Sequence, residues 1–243
     1  MLFEDSGSFT HSDEELMMGA SYGSNVTVSE VICTASAGGG MDVIVMYDYF
    51  QENIQGGGDV GAFDQWTDDF KQEVSDFGAA HVQGDPNTIA YQQARQAMEA
   101  LYATAKLSVL SNSESFFPAT PGETLTWTEL VQSLESTIIV VGVHDYQQTP
   151  AFTLDYPNGG DNIIYIDPNR LSSYVNAFGV EEGTNYVIYH ELAHASVDGE
   201  DGQNLSNREP IANEYGQMLA GIVGAAYPTD TELGSVGGTV SRQ

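Results

Sequence analysis

Two histidines four residues apart, His190 and His194, limit what this chain can fold into more than any other feature. Residues at positions i and i+4 share one face of an α-helix, so both imidazoles can reach the same point only if the segment is helical. Thr184, after Gly183, is a suitable N-cap, and Asp198 with the following glycine is a suitable stop. The sequence therefore predicts a helix over residues 185–197 that presents both imidazoles on one side.

The five residues from His190 to His194 read His-Glu-Leu-Ala-His, a pattern suited to binding a divalent metal ion. Each imidazole nitrogen can lie about 2.0–2.1 Å from one shared ion. Glu191 would then lie beside the ion, where it can take a proton from a water molecule whose pKa the metal lowers to about 7. Zn²⁺ is the expected ion, because imidazole and carboxylate ligands with one open position suit it.

The stretch from His190 to Leu219 resembles the HExxH zinc metallopeptidases, which are called zincins. In the gluzincin branch, the third ligand is a glutamate on a later helix, and an acid or amide four residues further on supports the first histidine. The resemblance therefore implies that Glu209 is the third metal ligand and that Asn213 supports His190. The family more often has an aspartate where this chain has Asn213, which would retain a hydrogen bond but no negative charge.

A second branch, the metzincins, fits the sequence less well. Its longer pattern would have glycine at position 197 and histidine at position 200, where this chain has Val197 and Glu200. A carboxylate can also bind zinc, so Glu200 stays open as an alternative third ligand. Glu214 lies about 140° around its helix from Glu209 and is expected to be a solvated acid.

The resemblance implies a zinc-dependent metalloendopeptidase that holds one zinc ion per chain and uses Glu191 as its general base. It also implies a protein or peptide substrate, bound in extended form antiparallel to an edge strand. The segment Asn162–Ile166 directly precedes the histidine helix and is expected to be that strand, with a core strand as the equal alternative. Four side chains stay open as the donor that stabilises the oxyanion: Tyr189, Tyr215, Arg208 and His144.

Two other functions stay open. The chain can be a catalytically inactive, zincin-like metal-binding effector or adhesion protein whose metal is structural. It can also be an intracellular regulatory protease similar to those that cut repressors, which carry a short HExxH motif and a related second helix. A water molecule at the fourth coordination position would favour an enzyme, and a protein ligand there would favour a structural metal.

Patterns outside the motif predict an α+β fold, in which a small, mostly antiparallel sheet packs on helices. Helices are expected over residues 64–77 and 89–109, after the capping box Thr126-x-x-Glu129, and again from Asn207 onward. Strands are expected over residues 137–143, 151–156 and 162–166, the last two as a hairpin around Pro157–Gly160. The order of elements agrees with a zincin-like domain, with the histidine helix followed by the glutamate helix.

Composition and the positions of glycine and proline divide the chain into three parts. Residues 1–40 are predicted to be a flexible N-terminal segment, residues 41–228 the zincin-like domain, and residues 229–243 a flexible tail. The acidic stretch 12–20 resembles leaders that are cut during dedicated bacterial export. Residues 26–32 and 41–50 have strand-like composition. Residues 37–45 resemble one imperfect calcium-binding nonapeptide repeat, so Ca²⁺ is only a weakly supported second ion.

The charge of the chain limits its partners. Asp and Glu number 35 and Lys and Arg number 6 among 243 residues, which gives a formal net charge of -29. Binding to nucleic acid needs clustered cations, so nucleic acid is excluded as an expected partner. No apolar run approaches the length of a membrane span. Scarce lysine and the leader-like stretch favour a secreted protein, with a cytoplasmic one as the alternative, and nothing in the sequence indicates the oligomeric state.

Overall fold

The structure is a computed structural model, and it describes residues 60–110, 117–118, 124–145, 149–154, 161–197 and 205–228. These residues form an α+β fold of six helices and a mixed four-stranded sheet, with a separate two-stranded ribbon. No helix in these ranges combines the length and hydropathy needed to cross a membrane. The predicted leader, the strand-like segments 26–32 and 41–50, the single calcium repeat and the C-terminal tail lie outside the described residues.

The helices are α1 (Val60–His81), α2 (Ile89–Leu110), α3 (Trp127–Glu135), α4 (Ser172–Phe178), α5 (Val180–Val197) and α6 (Leu205–Ile222). The strands are β1 (Val82–Gly84), β2 (Phe117–Pro118), β3 (Thr124–Leu125), β4 (Thr137–Val141), β5 (Ala151–Leu154) and β6 (Asn162–Ile166).

The main sheet has the strand order β1-β4-β6-β5. Strand β4 pairs in parallel with both β1 and β6, and only β5 runs antiparallel to its neighbour β6. The predicted hairpin of β5 and β6 is therefore confirmed, but the prediction of a mostly antiparallel sheet is wrong. The reason is that α2 and α3 carry the chain back between β1 and β4, so those strands point the same way. With only three residues, β1 also gave no strand signal in the sequence.

One face of this sheet packs on the helices. Ile139 of β4 and Ile164 and Ile166 of β6 are fully buried on this face, and they belong to the same apolar cluster as Met98 and Leu101 of α2. Helix α5 is at the centre of the packing, because it contacts β5 and β6, the long helix α2, and the neighbouring helices α4 and α6. The helix that carries the two histidines is therefore positioned from several sides.

The predicted capping box at the start of α3 is confirmed. The Glu129 amide donates to the Thr126 side chain, and the Thr126 amide donates to the Glu129 carboxylate at 2.6 Å. The predicted start of α5 is wrong, because the helix begins four residues before the expected N-cap Thr184. The Thr184 hydroxyl donates to the Val180 carbonyl one turn back, which is how a threonine inside a helix satisfies its hydroxyl.

Two further boundaries differ from the sequence prediction. Helix α4 was not predicted, and its end is followed by Gly179 at a positive φ of 92°, a conformation that favours glycine. Helix α6 begins at Leu205, so Asn207 lies within the helix and is not its N-cap. Pro210 then lies in the second turn of α6, directly after Glu209.

Candidate metal centre

The side chains of His190, His194 and Glu209 lie together where α5 faces α6. His190 Nε2 is 3.2 Å from His194 Nε2 and 3.1 Å from Glu209 Oε2. His194 Nε2 is 3.6 Å from Glu209 Oε1. All three residues offer ligand atoms that lie within 4.8 Å of one another, so this group could hold a metal ion.

The spacing of these atoms agrees with tetrahedral coordination. Ligands bound at about 2.0–2.1 Å to a tetrahedral ion are about 3.3 Å apart. The separation of the two nitrogens, and that of each nitrogen from one of the two Glu209 oxygens, lie close to that value. Two imidazole nitrogens and a carboxylate are also the donor set of many catalytic zinc sites that leave the fourth position open. The residues present therefore fit a divalent ion in both chemistry and spacing.

The three candidate ligands differ in exposure. The side chains of His190 and His194 are 11% and 13% exposed, whereas the Glu209 side chain is 61% exposed. Hydrogen bonds from His190 and His194 hold the pKa of Glu209 well below its usual range. The histidines are thus held within the fold, and the carboxylate approaches them from the solvent side.

Asn213 and Tyr186 hold the outer nitrogen of His190. His190 Nδ1 lies 2.9 Å from Asn213 Oδ1, and the Tyr186 hydroxyl donates to the same oxygen at 2.7 Å. An amide oxygen only accepts, so Nδ1 must carry a proton in this pair, and Nε2, which faces His194 and Glu209, is the nitrogen available to a metal ion. The resemblance implied that Asn213 supports His190, and the structure brings the two side chains into contact.

Glu191 is buried beside the candidate ligands. It is 8% exposed, and burial raises the pKa of its carboxyl group against the opposing effect of His190 and His194. The Thr153 hydroxyl on β5 lies 2.7 Å from Glu191 Oε2 and 3.2 Å from the Glu191 main-chain oxygen. A buried carboxyl group with a raised pKa, held by one hydroxyl, is suited to accepting and returning a proton.

The strand next to Glu191 is β5, not the predicted Asn162–Ile166. That segment is β6, which lies inside the sheet between β4 and β5, so the prediction that it is an edge strand is wrong and its core alternative is right. Among the described strands, β5 forms the edge that lies over α5. The sequence could not show this, because the order of strands depends on pairing between distant segments.

Two of the four open oxyanion donors, Tyr189 and His144, have surroundings away from the candidate metal group. Tyr215 is buried in the apolar core. Tyr189 is buried and lines a cavity of about 240 Å³ between α2, α5 and the end of α6. His144 packs on Phe152, which points to the opposite face of the sheet from Thr153. The Arg208 side chain lies outside the described residues.

Sequence reasoning missed three residues near the group: Tyr186, Thr153 and Tyr174. Tyr186 lies one turn before His190, a spacing that could have identified it. Tyr174 of α4 stacks on Tyr186 at 5.4 Å, and Glu191 and Glu209 contribute to the rise in its pKa, after burial. The alternative ligand Glu200 lies outside the described residues, and Glu214 is exposed, as predicted.

Comparison of this chain with protein-family models, with curated proteins and with solved structures found no match. The case for a metal site therefore rests on the three converging side chains.

Proposed function

We propose that this protein is a zinc-dependent metalloendopeptidase of zincin-like type. The observation that carries the proposal is the convergence of His190, His194 and Glu209 beside the buried carboxyl group of Glu191. A structural metal site would need a fourth protein ligand. The described residues provide three in this group, and in this proposal water or substrate takes the fourth position.

Each residue of the group has a distinct role in this proposal. His190, His194 and Glu209 hold the ion, and Asn213 keeps Nε2 of His190 directed at it. A zinc ion bound here would polarise the scissile carbonyl and lower the pKa of a water molecule. Glu191 accepts the proton of the attacking water and delivers it to the nitrogen of the leaving amine. The burial of Glu191 keeps bulk water from competing for that proton.

The substrate in this proposal is an extended peptide segment that pairs with the edge of β5. Addition of a strand to a sheet edge recognises the peptide main chain, so it suits an enzyme that cuts peptide bonds. The net charge of -29 favours neutral or basic segments, because an acidic one is repelled at low ionic strength. A secreted location is part of the proposal and is supported by the scarcity of lysine and the leader-like stretch 12–20.

Metal analysis and three variants test this function. We expect about one zinc per purified chain, cleavage of an unfolded protein substrate, and loss of cleavage on removal of zinc by a chelator. Glu191→Gln should abolish cleavage while zinc stays bound. Glu209→Gln should lose zinc, and its matched control Glu214→Gln, an exposed acid on the same helix, should keep both zinc and activity.

The outcomes separate the proposed enzyme from its alternatives. Full cleavage by Glu191→Gln would contradict the role of the general base. A zinc-loaded wild-type protein without cleavage, whose stability depends on the metal, would instead support a metal-binding effector or adhesion protein. Fractionation of a tagged chain in its native host would decide between a secreted and an intracellular protease.

A further inference from the structure

We propose that Thr153 is a positioning residue for the reaction proposed above, on which this inference rests. Its hydroxyl holds the carboxylate of Glu191 on one side of β5, and its main-chain groups face the free edge where an extended peptide would pair. One residue thereby sets the position of the base relative to the substrate main chain.

The first observation is the contact between side chains. The Thr153 hydroxyl is 2.7 Å from Glu191 Oε2. Among the described residues, this hydroxyl donates the hydrogen bond to the Glu191 carboxylate. Oε1 makes no hydrogen bond with a described residue, so it stays free to accept a proton. Threonine is restricted at χ1 by its branched Cβ, so little side-chain freedom is lost in holding this geometry. The hydrogen bond therefore selects one orientation of this buried carboxylate.

The second observation is which residue pairs of β5 and β6 are hydrogen-bonded to each other. The Asp167 amide donates to the Pro150 carbonyl at 2.8 Å, so the pair 150/167 is a hydrogen-bonded one. Hydrogen-bonded and non-hydrogen-bonded pairs alternate along antiparallel strands. Thr153 is opposite Ile164 and falls in a non-hydrogen-bonded pair. Its N–H and C=O groups therefore point away from β6.

The hydroxyl that contacts Glu191 and the main-chain groups that point away from β6 belong to the same residue, Thr153. In the described part of the chain, nothing pairs with the outer side of β5, so the Thr153 main chain is available to an added strand. A peptide paired there lies at a fixed distance from the Thr153 Cα, and the Thr153 hydroxyl fixes Glu191 relative to the same atom. Loss of the hydroxyl should therefore impair the proton transfer and leave the pairing of the peptide intact.

The test compares Thr153→Val with Thr153→Ser in the zinc-loaded protein. Valine keeps the shape and strand preference of threonine but has no hydroxyl, whereas serine keeps the hydroxyl. We expect Thr153→Val to lower kcat by about tenfold or more, since small misplacement of a catalytic group is costly, with KM changed by less than about twofold. Thr153→Ser should recover most of kcat. Thr128→Val, at an exposed threonine of α3, controls for the loss of a hydroxyl elsewhere.

A second measurement does not depend on activity. In the metal-free protein at constant pH, the ¹³C resonance of the Glu191 carboxyl carbon, identified by its loss in Glu191→Gln, should move in Thr153→Val and stay near its wild-type position in Thr153→Ser. The inference is overturned if Thr153→Val keeps wild-type kcat and resonance, or if serine is as impaired as valine. An inactive wild-type protein would contradict the proposed function instead, and the resonance would still test the hydrogen bond.

Discussion

At the scale of single residues, Asn213 decides which nitrogen of His190 can face an ion. Its amide oxygen accepts from His190 Nδ1 and from the Tyr186 hydroxyl. Two donors on one oxygen hold the amide in one orientation, and that orientation keeps His190 Nε2 as the nitrogen that faces His194 and Glu209. Tyr186 thereby acts on the candidate metal site without being a ligand.

Asn213→Ala should weaken zinc binding by about 10–100-fold, the usual cost of losing a hydrogen-bond partner of a metal-bound histidine. Tyr186→Phe should have a smaller effect in the same direction, because His190 keeps its bond to Asn213. Competition with a chromophoric chelator measures both affinities. Asn176→Ala, at an exposed position on α4, should be neutral. Unchanged affinity in Asn213→Ala would show that the amide does not support the site.

At the scale of elements, Gly216 lets α6 approach α5 closely enough for Glu209 to reach the histidines. A Cβ atom at Gly216 would lie 2.7 Å from the Tyr227 hydroxyl and 3.1 Å from the His190 amide nitrogen. The Tyr227 side chain can move aside, but the main chain of α5 is packed on both sides. A side chain here would therefore push the two helices apart.

Gly216→Ala should destabilise the fold by about 1–3 kcal/mol, the common cost of overpacking, and weaken zinc binding as Glu209 moves outward. Gly221→Ala is the matched control, since a Cβ atom there meets nothing within 4 Å. That control should gain about 0.5–1 kcal/mol from helix propensity. Chemical denaturation and a zinc titration of both variants give the comparison, and equal zinc affinity in the two would argue against the close-approach role.

The capping box of α3 should make its contribution to stability dependent on pH. The Thr126 main-chain amide lowers the pKa of Glu129, so the stabilisation is present above the ordinary glutamate pKa of about 4.3 and is lost as pH falls through the lowered value. Glu129→Ala should cost about 1 kcal/mol at pH 7 and less at pH 3. Thr128→Ala, in the same turn, should show no such trend in denaturant unfolding. If the loss of stability in Glu129→Ala did not change with pH, the charge of Glu129 would not contribute to the cap.

Local signals in the sequence were enough to predict some of these features but not others. The histidine spacing and the Thr126-x-x-Glu129 box act within one helical turn, so both could be predicted without knowledge of the fold. The contact of Thr153 with Glu191 spans 38 residues and requires β5 to lie at the edge of the sheet. Strand order depends on long-range pairing, which also explains why the parallel pairs of β4 were not predicted.

At the scale of the whole molecule, the net charge of -29 opposes compaction. With only six basic residues, most carboxylates have no cation nearby to offset them. Added salt screens this repulsion, because the Debye length falls from about 30 Å at 0.01 M to about 8 Å at 0.15 M. The folded state should therefore depend on ionic strength more than that of a protein with balanced charge.

Raising NaCl from about 0.01 M to 0.15 M should raise the Tm of the metal-free protein, by about 2–4 °C for each kcal/mol gained. Differential scanning calorimetry measures the shift. Choline chloride at the same ionic strength should act equally if screening is the cause. A Tm that stayed constant or fell with salt would show that self-repulsion is not a major contribution to stability.

The unequal exposure of the three candidate ligands also affects how an ion would be exchanged. The two histidine side chains are enclosed by the fold, and the third candidate ligand, Glu209, lies on the solvent side. Outward rotation of that single carboxylate would open a path for capture and release, while the imidazoles keep their geometry. Binding of the metal ion should then be fast and leave the fold intact. The ion could be removed and bound again without unfolding of the protein.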